Sequence, residues 1–205
     1  MKDEIVLIGG GGHCMVIIEI IEAMDKAVGQ VVDIYKKDGT NSLLGYPVVR
    51  VQTQSGPSII AIGDNGIRFE LASSSKSNFI KALHPRANVS SRCSIGSGTV
   101  VMAGATINSE TYIGNHCIIN TNSSVDHECK ISDFVHIAPN AALGGNVSVG
   151  EGSHIGIGAT IIQGIVIGRW ATIGAGAVII ADVPDFAVVV GVPGTIIKYN
   201  APIST

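Results

Sequence analysis

Val147-Ser-Val-Gly-Glu-Gly-Ser-His-Ile155-Gly-Ile-Gly-Ala-Thr-Ile161 places an aliphatic residue at every sixth position: Val149, Ile155 and Ile161. Stepping by six in both directions meets Val89, Ile95, Val101, Ile107, Ile113, Ile119, Val125, Ile131, Ile137, Leu143, Ile167, Ile173 and Ile179 without an exception. Two residues before most of these stands something small, such as Cys93, Thr99, Ala105, Cys117, Cys129, Ala159 or Ala177. Glycine often follows, as at Gly96, Gly114, Gly150, Gly156 and Gly174. A period of six fits neither a helix nor a simple alternating strand. It fits a prism in which one hexapeptide forms each flat face and three complete a coil. The aliphatic residue then points inward and the small one sits beside the corner. Successive coils pair as parallel strands about 4.8 Å apart. The stretch from Val89 to Pro184 has room for roughly five coils.

Composition agrees. The chain has 205 residues, 26 of them Gly, with 46% hydrophobic and only 4% aromatic residues, so Val, Ile, Leu and Ala must fill the core. A net charge of −3 gives no basic footprint for nucleic acid and no polybasic membrane anchor. The cysteines Cys14, Cys93, Cys117 and Cys129 have neither CxxC pairing nor metal-ligand spacing, and three of them occupy the corner register. They read as small, reduced packing residues of a cytoplasmic protein, and no metal site is expected. The apolar start, Ile5 to Met24, is interrupted by glycines and His13 and carries Glu19 and Glu22. Neither a membrane span nor an export signal is expected from it.

Residues 1–83 lack the hexad. Ile5 to Ile8 reads as a strand, Gly9 to Gly12 as a turn, and Val16 to Met24 as a helix; further strands are expected over Gln30–Ile34 and Ser58–Ile62. The result is an α/β, Rossmann-like βαβ unit over 1–83 followed by the β-helix over 84–205. The dinucleotide fingerprint is incomplete, because Met15 stands where its third glycine belongs. Bare glycine amides at a helix N-terminus still suit an anionic diphosphate. A nucleotide-sugar diphosphate, a purely structural turn and NAD stay open as readings of this turn.

Several segments carry a resemblance. They are Gly9-Gly-Gly-Gly-His13, Ile62-Gly-Asp-Asn-Gly-Ile-Arg68, His84-Pro85, Asn120-Thr-Asn-Ser-Ser-Val-Asp-His-Glu-Cys129 with His136 after it, and Gly191-Val-Pro-Gly194. Together they resemble the hexapeptide-repeat sugar acetyltransferases, of the sialic-acid O-acetyltransferase and UDP-4-amino-sugar N-acetyltransferase type. The resemblance covers nearly the whole chain. It implies a left-handed parallel β-helix, a homotrimer with active sites between subunits, and acetyl-coenzyme A as co-substrate.

Acetyl transfer from a thioester needs a base for the nucleophile's proton, and histidine titrates near neutrality. His127 lies between Asp126 and Glu128. The resemblance makes His127 the general base and Glu128 its carboxylate partner. It also implies that Gly11, Gly12 and His13 hold the nucleotide sugar's phosphates, with Asp33, Gly63, Ile67 and Asn120 on the substrate. His136, Gly145, Ile157 and Ala175 are implied along the acetyl-CoA arm. Family members often carry two consecutive acids where this chain has Asp33-Ile34. His136 and His154 are one coil apart and should stack on one face, His154 reading as a surface neighbour. The leading expectation is N-acetylation of a nucleotide-linked amino-sugar; the alternative is O-acetylation of sialic acid or a related sugar. A catalytically silent trimeric scaffold and a carbonic-anhydrase-like zinc site are weaker readings.

Overall fold

The computed structural model describes residues 4–34, 41–53 and 55–201. The outermost residues of the two expected domains, 1–3 and 202–205, lie outside the described residues.

The N-terminal unit runs β1 (Ile5–Ile8), α1 (Gly12–Ala23), β2 (Val28–Val32), β3 (Ser42–Leu43), β4 (Tyr46–Val49), β5 (Ser58–Ile60) and α2 (Asn65–Ser74). Its sheet has the order β3-β4-β2-β1-β5, parallel except for the β3/β4 hairpin. With β2 and β5 on opposite sides of β1, the crevice at the carboxyl ends of the strands is a natural ligand site. Five expected boundaries move, two of them by one residue at the end of the helix and by two at the start of β2. The helix begins at Gly12 rather than Val16, because Gly11 is an extended N-cap and Cys14 joins the buried stripe of Ile17, Ile18 and Ile21. Strand β2 ends at Val32 and β5 at Ile60, since pairing stops at Ile8. Gly9, at φ +116°, turns the chain away there, and a Cβ on it would lie 2.5 Å from Ile62 Cγ1. Asp33, Ile62 and Gly63 therefore stand in loops at the sheet's edge.

The rest is the parallel β-solenoid. Face I carries Ala82–Leu83, Val100–Val101, Ile118–Ile119, His136–Ile137, His154–Ile155 and Thr172–Ile173. Face II carries Asn88–Val89 through Val178–Ile179 in 6 strands, and face III carries Ser94–Ile95 through Val166–Ile167 in 5. Face I is longest, an 8-strand sheet, because it starts one hexad before Val89 and ends in the antiparallel pair Ala187–Val190 and Thr195–Tyr199. The hexad aliphatics from Val101 to Ile179 form one buried core. Several small corner residues also serve as hydrogen-bond links between coils. Thr99 Oγ1 donates to the Gly114 carbonyl at 2.8 Å and accepts from Cys117 N at 3.0 Å. Ser153 repeats the arrangement with Gly168 and Ala171. The Cys117 and Cys129 thiols sit in the same register and donate to Ser132 and Gly144 carbonyls.

Arg68 on α2 joins the two units. Its side chain is 1% exposed. Nε donates to the His116 carbonyl at 2.8 Å and Nη2 to the Phe134 carbonyl at 2.9 Å, both on the corner between faces III and I. Nη1 donates to Ile62 and Gly63, and Nη2 also to Asn65 Oδ1. Asn65 in turn donates to Gly152 and Ser153 of the next coil. Phe69 packs edge-on against Phe134 and Trp170, at 5.2 and 5.8 Å. Above this corner, Val100, Met102 and Ile118 of face I enter the same apolar cluster as α1. Desolvation lowers the Arg68 pKa, but only to about 10, so the guanidinium stays charged at neutral pH.

Removing this cation strands several buried carbonyls at once. Arg68→Met should destabilise the protein by about 3–5 kcal/mol in urea unfolding. Arg68→Lys should recover only part, because an ammonium cannot reproduce the planar fork. A loss below about 1 kcal/mol would mean that apolar contact alone holds the units together.

Candidate active site

The site residues expected from sequence fall into separate groups in one chain. The first lies where the glycine turn meets face I. Gly10 packs against Asp33, and an added Cβ would approach its Oδ2 to 2.7 Å, whereas Gly11 and Gly12 have open space around them. Gly11 offers no side-chain cap, so among the described residues the Gly12 and His13 amides have no partner, while Cys14 N donates to the Gly11 carbonyl at 3.0 Å. His13 follows in the first turn, and its Nε2 is buried without a hydrogen-bond partner among the described residues.

Face I brings His136 to this turn. Asn120 Oδ1 accepts from Thr121 N at 2.8 Å, which aims its amide nitrogen at His136 Nε2, 3.0 Å away. With Nε2 accepting, the neutral ring carries its proton on Nδ1. The His154 ring meets His136 edge-on at 4.8 Å, so the expected vertical stack is present and His154 is more than a surface neighbour. Burial, then His154, Arg68 and His13, push the His136 pKa down to about 3; the Gly63 backbone opposes this only in part. Burial and Arg68 hold His13 and His116 at about 4. Burial and Arg68 also lower His154, against a smaller opposing effect of Asp64. His136 thus stands with Gly63 and the His13 side of the site, away from Gly145.

The second group is on the corner between faces II and III. Glu128 Oε2 lies 2.9 Å from His127 Nδ1, with both side chains more than half exposed. The carboxylate fixes Nδ1–H and leaves Nε2 with a free lone pair. Asp126 accepts from Asn108 Nδ2 and from the His127 amide, both at 2.8 Å, and these bonds lower its pKa. Gly145 lies directly below the imidazole: a Cβ there would come within 2.7 Å of Nε2. A groove of about 420 Å³ runs past His127, Gly144, Gly145 and Gln163.

Ile157 and Ala175 form a third group, exposed on the corner between faces I and II, in line with Thr121 and next to Asn120. Face II separates them from His127. Ile67 and Asp33 line a slot at the far end of the glycine turn, with Ile34, Glu70 and Leu71. Arg68 and Asn108 were not singled out from sequence. Asn108 had a usable signal, because it precedes Asp126 by one coil of 18 residues. Among the described residues no cluster of three metal-ligating side chains occurs, and no helix is long and apolar enough to cross a membrane.

Residues 4–74 match the PglD N-terminal domain family, and residues 146–181 match the bacterial transferase hexapeptide family of six repeats. The perosamine N-acetyltransferase of Caulobacter crescentus, solved as a mutant with CoA and GDP-perosamine, is 40% identical. That similarity covers 95% of this chain and 97% of the other, with a TM-score of 0.89. The acetyltransferase domain of PglB from Neisseria gonorrhoeae, solved with acetyl coenzyme A, is 34% identical over 96% of this chain and 100% of that one, at a TM-score of 0.88. The UDP-N-acetylbacillosamine N-acetyltransferase of Bacillus subtilis is 42% identical over 111 residues. Those residues are 49% of this chain and 51% of that protein, so the chain spans about half the length of that curated relative.

The buried histidines set an acid limit on stability. An unfolded imidazole binds a proton near pH 6.5, whereas folded His13 and His116 wait until about 4 and His136 until about 3. Between these values the unfolded chain holds more protons, so stability present above pH 6.5 is lost as pH falls. The melting temperature should drop by more than about 5 °C across this window. His136→Asn should flatten the slope; an unchanged slope would place the acid sensitivity elsewhere.

Proposed function

Because this chain belongs to the hexapeptide-repeat sugar N-acetyltransferases that carry a PglD-type N-terminal domain, we propose that it acetylates the amino group of a nucleotide-linked sugar. Acetyl-CoA is the donor. The observation that carries this reading is the His127–Glu128 pair, with one imidazole nitrogen held and the other bare above Gly145. The unit over 1–83 holds the nucleotide sugar, its diphosphate on the free amides of Gly11, Gly12 and His13. The solenoid over 84–205 supplies the base and the thioester groove.

The neutral sugar amine attacks the thioester carbonyl, and a C–N bond forms. His127 Nε2 accepts the proton that the nitrogen must shed, while Glu128 stabilises the imidazolium at Nδ1–H. When the C–S bond breaks, the same proton passes to the leaving thiolate. No covalent enzyme intermediate is required. Neutral His136, with Nδ1 fully buried, acts through position: its Nε2 fixes Asn120 against the substrate side of the site.

The groups divide between two corners, which supports an assembly in which the His127 corner of one copy meets the Asn120–Ile157–Ala175 corner of the next. In a closed ring of three such copies each corner of one kind would face one of the other. Tyr112, Val166, Ile162 and Ile180 are large apolar residues left exposed on face III and its corner, which suits burial between copies. O-acetylation of a sugar hydroxyl is the second reading. It is disfavoured because the relatives above are named as N-acetyltransferases of amino-sugars. Their names carry two different nucleotides, so the base stays open.

Thiol release from acetyl-CoA, followed with UDP-4-amino-sugars, GDP-perosamine, dTDP-amino-sugars and free sialic acid, tests the proposal. One amino-sugar should support turnover. His127→Ala should lower kcat by about 100- to 10,000-fold, and Glu128→Gln by about tenfold. Co-expressed His127→Ala and Asn120→Ala chains should recover part of the activity that each lacks alone. Release with sialic acid only would favour the O-acetyl reading, and silence across the panel would sink both.

A further inference from the structure

The slot beyond the glycine turn has a chemistry of its own. Its apolar walls are Ile8, Ile34, Ile62, Ile67 and Leu71, and Asp33, which packs against Gly10 of the turn, also lines it. Ile67, Glu70 and Leu71 lie at i, i+3 and i+4 on α2, so they share the helix face that borders the slot. Ile34 and Ile67 are 60% and 40% exposed, two large aliphatic side chains bordering an open slot. Such a pair suits the flat faces of a heterocycle. Glu70 is the other acid lining the slot; it is exposed, and its carboxylate makes no hydrogen bond or ion pair among the described residues.

A carboxylate has only acceptors to offer. Of the common bases, guanine alone presents two adjacent donors on one edge, N1–H and the exocyclic N2 amine, which match two carboxylate oxygens. Uracil and thymine place a single N3–H between two carbonyl oxygens, so a carboxylate gains one bond and meets two repulsions. Adenine and cytosine pair each amine with a neighbouring ring acceptor, which a carboxylate also repels. Resting on the nucleotide-sugar reading above, we infer that Glu70 reads the base and that the substrate is guanosine-diphosphate-linked. Asp33 lies between base and turn, at the level of a ribose.

Titration calorimetry of the full chain with GDP, IDP, UDP and dTDP tests this. IDP differs from GDP only by the missing N2 amine. GDP should bind about tenfold or more tightly than IDP, and by a larger margin than UDP or dTDP. Glu70→Gln should weaken GDP by about tenfold and erase the difference between GDP and IDP, since its amide offers one acceptor and one donor. Glu70 is exposed, so the variant should melt with the wild type. Preference for UDP or dTDP, or an unchanged GDP preference in Glu70→Gln, would overturn the base assignment and leave the nucleotide-sugar reading in place. Binding of none of the four would overturn both.

Discussion

A cation buried without a carboxylate on it is the constraint from which the geometry follows. Taking a guanidinium out of water costs several kcal/mol unless every donor is met. Arg68 meets that cost with carbonyls rather than with a counter-charge: His116 and Phe134 from the solenoid corner, Ile62 and Gly63 from its own loop. Asp64 acts on it electrostatically, yet its carboxylate caps α2 at Ile67 N instead of pairing with the arginine. A carbonyl set of this kind exists only when loop and corner are in register. The interaction therefore fixes the loop after β5, and with it Gly63, against particular coils. A less demanding apolar contact would let the N-terminal unit slide along face I.

The 18-residue coil then decides which side chains meet. Residues one coil apart lie above one another, so His127 rests on Gly145, Asn108 on Asp126, and Phe134 above Gly152 and Trp170. Gly152 is small for a steric reason: a Cβ would sit 2.3 Å from the Trp170 ring. The same geometry forbids contact between corners. Asn120 and His127 are seven positions apart in sequence, but they occupy corners at opposite ends of face II. No rotamer change brings them together in one chain.

The hexad was legible because every inward position had to be aliphatic, and the glycine turn because it follows a strand and opens a helix. What receives the N-terminal unit was not legible. Ile118 on face I is buried beneath it, while Val166 on face III is 49% exposed, and the two are chemically alike. Arg68 escaped notice for the same reason: nothing in a lone arginine on a short helix says that its partners are backbone carbonyls some fifty residues on. The left-handed corner residues Glu110, His116, Asn122, Glu128, Phe134 and Asn140 also went unread, although they repeat with the hexad. Their side chains are too varied to look like turn residues, and the coil rather than their own propensity holds them there.

The field of Arg68 also separates the histidines by what each can do. A base must accept a proton near the working pH, and its effectiveness falls as its own basicity falls. His13, His116, His136 and His154 all lie close enough to the buried guanidinium to be held neutral, with burial as the larger cause. They can donate or accept hydrogen bonds, but they are poor acceptors of a full proton. His84 is lowered by burial and by Arg86, and its Nδ1 accepts from the Arg86 amide at 2.9 Å. His127, on the far corner, differs in its partners: Glu128 holds its Nδ1, and its Nε2 makes no hydrogen bond among the described residues. The docking cation thus helps keep the imidazoles around it neutral, while the His127–Glu128 pair stands apart from it on a different corner.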